Sequence, residues 1–113
     1  MSKALIWLRD SKRNLMEFPE KVRREFGHAL HFAQEGEMHP SCKPLKGFGS
    51  GVFEIIQDFN KDTYRVVYAV KLKDKVYVLH AFQKKSKQGI KTPPKDLALI
   101  KERLRRAKEL ANE

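Results

Sequence analysis

Residues 63–87 run TYRVVYAV, then KLKD, then KVYVLHAF, and close with QKKSK. Two β-rich runs joined by a few polar residues predict an antiparallel hairpin. In the first run Tyr64, Val66, Tyr68 and Val70 share one face. Arg65, Val67 and Ala69 share the other, because side chains alternate along a strand. Apolar residues on both faces predict a central strand covered on both sides. Arg65 is the exception, a permanent cation in an oily strand. In the second run His80 is expected on the face of Val76, Val78 and Phe82. That run continues into Lys84, Lys85 and Lys87. An arginine, a histidine and several lysines at one end of a rigid sheet are suited to holding phosphate.

The chain has 113 residues, enough for one domain over residues 1–113 with an ordinary core. Its net charge is +10, which predicts an anionic partner: nucleic acid, a ribonucleoprotein or an acidic protein. Cys42 is the only cysteine, so no internal disulfide can form, and a reducing cytoplasm is expected. Cys42 with His39 gives two ligands, and His28 with His31 lacks a third. No metal site and no cofactor are expected. No apolar run approaches the roughly 20 residues that span a bilayer, and no membrane partner is expected. Ala4 to Leu8 is too short for a signal peptide, and Arg9 follows at once.

Residues 3–8 read as a strand. Asp10 or Ser11 can cap a short helix that ends before Pro19. Residues 20–35 read as an amphipathic helix with Val22, Phe26, Ala29 and Ala33 on its stripe and Gly36 as its stop. Residues 37–51 are rich in Pro, Gly and Ser and read as a loop. Lys43, Lys46 and the glycines Gly47, Gly49 and Gly51 could bring backbone close to a phosphate. The spacing fits neither a Walker loop nor a dinucleotide fingerprint. Residues 52–59 form a strand and 60–62 a turn, so three antiparallel strands follow in a meander. Thr92 can cap a last helix striped by Leu97, Ile100, Leu104, Ala107 and Ala111. Lys101, Arg103, Arg105, Arg106 and Lys108 are expected on its outer face. The order strand, two helices, three strands, helix predicts an α+β fold with helices on the faces or edge of an antiparallel sheet.

LKGFGSGVFEI, DTYRVVYAV and VYVLHAFQKKSKQGIKTP together resemble the phage-derived HigB-like branch of the RelE/ParE toxin superfamily. The resemblance covers nearly the whole chain and is most specific from His80 to Pro93. It implies a small twisted antiparallel sheet with two N-terminal helices and a C-terminal helix. It also implies the toxic half of a type II toxin–antitoxin pair that cuts messenger RNA on the ribosome. The expected partners are that RNA and a helix-turn-helix antitoxin encoded alongside, with the toxin a monomer or part of a hetero-oligomer with its antitoxin. Arg65 matches the family's Tyr-Arg strand. Lys84 and Lys85 match its basic pair, and Lys46 matches the lysine ahead of the glycine-rich turn. His80 fits the VLHAF pattern. Many relatives carry an arginine just after the residue matching Glu54; here Ile55 and Ile56 follow. The superfamily also holds gyrase poisons of the ParE type, which cut nothing.

RNA breaks without a metal when its 2′-hydroxyl attacks the adjacent phosphate. That step needs a base, an acid and cations for the growing charge. Arg65 has the planar fork for phosphate oxygens. Lys84 and Lys85 add charge and can supply a proton, and like charge nearby lowers the pKa of an ammonium. His80 has an ordinary pKa suited to proton transfer. Lys43, Lys46 and Lys87 are candidate RNA contacts. Each has a structural alternative. His80 can be a hydrogen-bonded core histidine, Arg65 an ion-pair partner of Glu54 or Asp58, and the lysines a solubilising surface. Likewise the chain can be a gyrase-directed toxin or a basic RNA- or ribosome-binding module without catalysis.

Overall fold

β-branched and aromatic residues concentrate in residues 52–84, and the sheet is built there. The computed structural model describes residues 2–84 and 92–113. In chain order the elements are β1 (Ala4–Trp7), α1 (Ser11–Met16), α2 (Glu20–Gln34), β2 (Cys42–Pro44), β3 (Val52–Phe59), β4 (Asp62–Leu72), β5 (Lys75–Lys84) and α3 (Pro94–Ala111). The five strands lie in the order β1-β5-β4-β3-β2. The meander β3-β4-β5 is antiparallel, as expected, whereas β1 joins β5 in parallel. The loop expected over residues 37–51 contains β2. Its Lys43 pairs with Glu54 across the edge of β3.

Both hairpin turns have two central residues, Asn60-Lys61 and Lys73-Asp74, all with positive φ. Left-handed pairs of this kind match the right-handed twist of the strands they join. Asn60 and Asp74 tolerate that backbone through their short polar side chains.

Helices cover both faces. Val22, Phe26, Ala29, Leu30 and Ala33 of α2 bury their stripe on Tyr64, Val66, Tyr68, Val76 and Val78. Ile100, Leu104, Ala107 and Ala111 of α3 pack on Val67, Ala69, Tyr77, Leu79 and Phe82 on the opposite face. β4 is therefore central and buried on both sides, as its two apolar faces require. Gly36 takes φ 81 just past α2, the left-handed stop that a glycine adopts without strain.

Three local expectations are corrected. Neither Asp10 nor Ser11 caps α1 with its side chain; Asp10 instead pairs with Arg103 at 2.9 Å. Thr92 does not cap α3, whose N-cap is Pro93. Arg103 is not on the outer face of α3. It is buried, because it lies on the same stripe as Ile100 and Ala107.

Candidate active site

Antiparallel partners point to the same side of a sheet. β4 and β5 pair Thr63 with Lys84, Arg65 with Phe82 and Val67 with His80. β3 adds Glu54 opposite Val67 and Ile56 opposite Arg65. Glu54, Arg65, His80 and Lys84 therefore share the face covered by α3. Arg65 and His80 are not directly opposite; they are offset by one pair.

A bulge sets the direction of His80. The register slips between Val67 and Tyr68, whose partners are His80 and Val78, which leaves Leu79 as the extra residue. Val76 and Val78 face α2, and Leu79 faces α3. His80 points to the α3 side as well. The expectation that His80 shares a face with Val76 and Val78 is thus overturned, because strict alternation fails at Leu79. Only Phe82 of that group shares its face, with its ring stacked on the imidazole at 4.7 Å.

Two clusters form beneath α3. In the first, Arg65 Nη1 donates to Glu54 Oε2 at 3.2 Å and to the Thr92 hydroxyl at 3.3 Å. Lys43 Nζ lies 3.8 Å from Glu54 Oε1. Lys84 completes it from the end of β5. Burial lowers the pKa of Lys84, the positive charge of Arg65 lowers it further, and Glu54 opposes both. Three cations thus surround one carboxylate. Arg65 is 2 % exposed, Glu54 4 % and Lys84 7 %. Charges this deep are stable only when paired, which Glu54 accomplishes for Arg65.

In the second cluster, His80 Nε2 lies 2.8 Å from Asp96 Oδ1, and Arg103 Nη1 lies 3.2 Å from His80 Nδ1. A guanidinium can only donate, so Nδ1 is the acceptor. The ring proton is therefore on Nε2 and is donated to Asp96. Arg103 also donates to the Leu79 carbonyl, freed by the bulge, at 3.1 Å. Burial lowers the pKa of His80, Asp96 pulls it back up, and Arg103 pushes it down. Both ring nitrogens are engaged within the protein.

The sequence-based candidates divide accordingly. Arg65, Lys84 and Lys43 come together, and His80 sits beside them in its own clamp. Lys46 is exposed in the turn after β2, with no ion pair among the described residues. Lys85 and Lys87 lie outside the described residues. Glu54, Thr92, Asp96 and Arg103 join the site without having been assigned to it. Arg103 carried a legible signal, its place on the α3 stripe seven residues after Asp96. That spacing puts both on one helix face. Among the described residues no group of His, Cys, Asp and Glu could hold a metal ion.

A family model described as "Phage derived protein Gp49-like" matches residues 13–105. The chain belongs to this phage-derived Gp49-like family. Among solved structures it is similar to an Arg-to-Ala double mutant of Escherichia coli toxin RelE in the free state. That likeness has 17% identity, 94% of this chain, 98% of that chain and a TM-score of 0.60. It is also similar to a chain of the Mycobacterium tuberculosis toxin–antitoxin complex RelBE2, with 16% identity, 74% and 100% coverage and a TM-score of 0.50. Likenesses at this identity establish the fold, which is RelE-like. No curated protein matches the chain. No helix among the described residues is long and apolar enough to cross a membrane.

Proposed function

We propose that this Gp49-like protein is the toxin of a type II toxin–antitoxin pair, of the HigB-like branch, and that it cleaves messenger RNA on the ribosome. The convergence of Arg65, Lys84 and Lys43 around Glu54, on a RelE-like sheet, carries this reading. The RNA's 2′-hydroxyl loses its proton and attacks the adjacent phosphorus, forming a 2′,3′-cyclic phosphate as the bond to the 5′-oxygen breaks and that oxygen takes up a proton. Lys84, with its proton affinity lowered, exchanges the proton with the reacting oxygens. Arg65 stabilises the added negative charge once the phosphate displaces it from Glu54. Lys85 and Lys87, which follow Lys84 in the sequence, are further candidate cations for the RNA, and Lys46 contacts the strand beyond Lys43. The engaged nitrogens of His80 support a positioning role, holding α3 on β5. An antitoxin encoded alongside, of helix-turn-helix type, neutralises the toxin in the bacterial cytoplasm.

The test is induction in cells followed by mapping of RNA ends, with Lys84→Ala and Arg65→Ala compared. New transcript ends that vanish in Lys84→Ala, with its circular dichroism unchanged, are expected. Growth arrest with intact transcripts would rule the reading out.

The depth of Arg65 and its closure on Glu54 favour a second reading, a toxin that cuts nothing and acts on a protein such as gyrase. DNA-damage signalling without new RNA ends is the outcome that selects it.

A further inference from the structure

The outer flank of α3 lies across from the glycine-rich turn between β2 and β3. Between them runs a groove of about 730 Å³, walled by Gly47 and Phe48 on one side and by Leu97, Lys101, Arg105 and Lys108 on the other. It begins in the second turn of α3, next to Asp96, and continues toward the C-terminus. Its floor is apolar, with Leu104 buried beneath. Phe48 is half-buried at its rim, and Gly47 leaves its wall open, with nothing within 4 Å of a Cβ position.

The charges are unevenly satisfied. Arg105 is held by Glu102 and Glu109 at 2.5 and 2.7 Å. Lys101 and Lys108 are exposed and make no ion pair among the described residues. One is seven residues after the other, which places them on one flank about 10 Å apart along the axis. Lys46, exposed and unpaired among the described residues, adjoins Gly47 on the opposite wall. An aromatic ring over an apolar floor, with two exposed ammonium groups along one wall and Lys46 next to the other, combines what single-stranded nucleic acid requires. A π-face receives a base, and spaced cations receive the phosphates. An acidic protein segment would use the cations but has no equal need of the half-buried ring at the rim.

We propose that this groove binds single-stranded RNA, with a base on Phe48 and phosphates on Lys101 and Lys108. It rests on the ribonuclease reading only for its purpose, that of guiding the strand past the cluster beneath the first turn of α3.

The probe is a short fluorescent oligouridylate with 2′-O-methyl groups, which binds but cannot be cut. Its affinity for the whole protein is measured from about 50 to 200 mM salt, a range over which phosphate contacts register strongly. The double variant Lys101→Ala/Lys108→Ala is expected to shrink the slope of log affinity against log salt by about 1.4, at roughly 0.7 per phosphate on a single strand. Phe48→Ala is expected to weaken binding roughly 5- to 150-fold without changing that slope. Unchanged slope in the lysine variant, or unchanged affinity in Phe48→Ala, overturns the proposal. So does polyglutamate that binds as tightly and loses as much with Phe48→Ala, which marks an acidic-protein dock. Cleavage plays no part in this readout. A protein that binds here yet leaves transcripts intact keeps the groove and loses the ribonuclease.

Discussion

Arg103 donates from Nη1 to His80 Nδ1, and its charge adds to the effect of burial in lowering the pKa of the imidazole. The same guanidinium reaches Asp10 at the start of α1 through Nη2. One side chain thus ties the bulge of β5 to helices on opposite faces of the sheet. Asp96, on the first turn of α3, closes the clamp from the other ring nitrogen.

This arrangement makes stability depend on pH with a definite sign. Burial holds the pKa of His80 below its unfolded value of about 6.5, against the pull of Asp96 and Asp10 and with the push of Arg103. The unfolded chain therefore binds the proton more readily. The stabilisation is complete above the unfolded value and is lost as pH falls from there through the lower folded value. Urea midpoints measured from neutral pH down to about 5 should fall more steeply in the native protein than in His80→Gln, at most about 1.4 kcal/mol per pH unit from this group. Parallel curves would contradict the clamp.

Glu54 and Arg65 should respond asymmetrically to substitution. Glu54→Leu removes the carboxylate that answers a guanidinium only 2 % exposed and should cost about 3–5 kcal/mol. Adding Arg65→Met replaces the buried pair with apolar volume and should recover most of the loss, since an apolar pair can match a buried ion pair. Chemical denaturation of the single and double variants measures it; a double variant as unstable as Glu54→Leu would refute the pairing.

Gly51 should resist a side chain for two reasons. Its φ is 85°, and a Cβ there would meet the Val70 carbonyl at 3.1 Å, while its own carbonyl accepts from Val70 N–H at 2.8 Å. Gly51→Ala should cost about 1–3 kcal/mol from the backbone conformation alone. Gly47→Ala, with a similar φ but open space, should lose less in the same thermal melts.

Phe26 is fully buried on α2 against Phe18, so Phe26→Ala should cost about 3–5 kcal/mol. A loss below 1 kcal/mol would mean that α2 contributes little to the packing on this face.

Lys84 gives the proposed reaction its own pH signature. Burial and Arg65 lower its pKa, so its free amine becomes available at lower pH than for an ordinary lysine. Cleavage should rise with pH up to that lowered value and then level off. Lys84→Arg keeps the charge but cannot deprotonate, and should lose both the rise and the activity. Retained cleavage in Lys84→Arg would assign Lys84 to electrostatics alone.

Much of this was legible in the residues. The hairpin of β4 and β5 follows from two β-rich runs, and the two covered faces follow from apolar residues at both parities. The α2 and α3 stripes follow from helical spacing. Local sequence also placed Arg65 and Lys84 on paired strands of one hairpin. Three-residue β2 carried too little pattern to be distinguished from loop, since its strand character comes from hydrogen bonding to β3.

The sequence by itself determined which segments become strands or helices, β2 excepted, because periodicity and local propensity act over a few residues. Only the tertiary structure decided which way His80 points and which carboxylate answers Arg65. A bulge at Leu79 inverts the face without any mark in the local composition, and it is held there by Arg103, twenty-four residues away. Glu54 rather than Asp58 meets Arg65 because register and the covering helix exclude water at one and leave the other exposed. Desolvation makes a buried charge seek its partner, and desolvation exists only once the layers have closed.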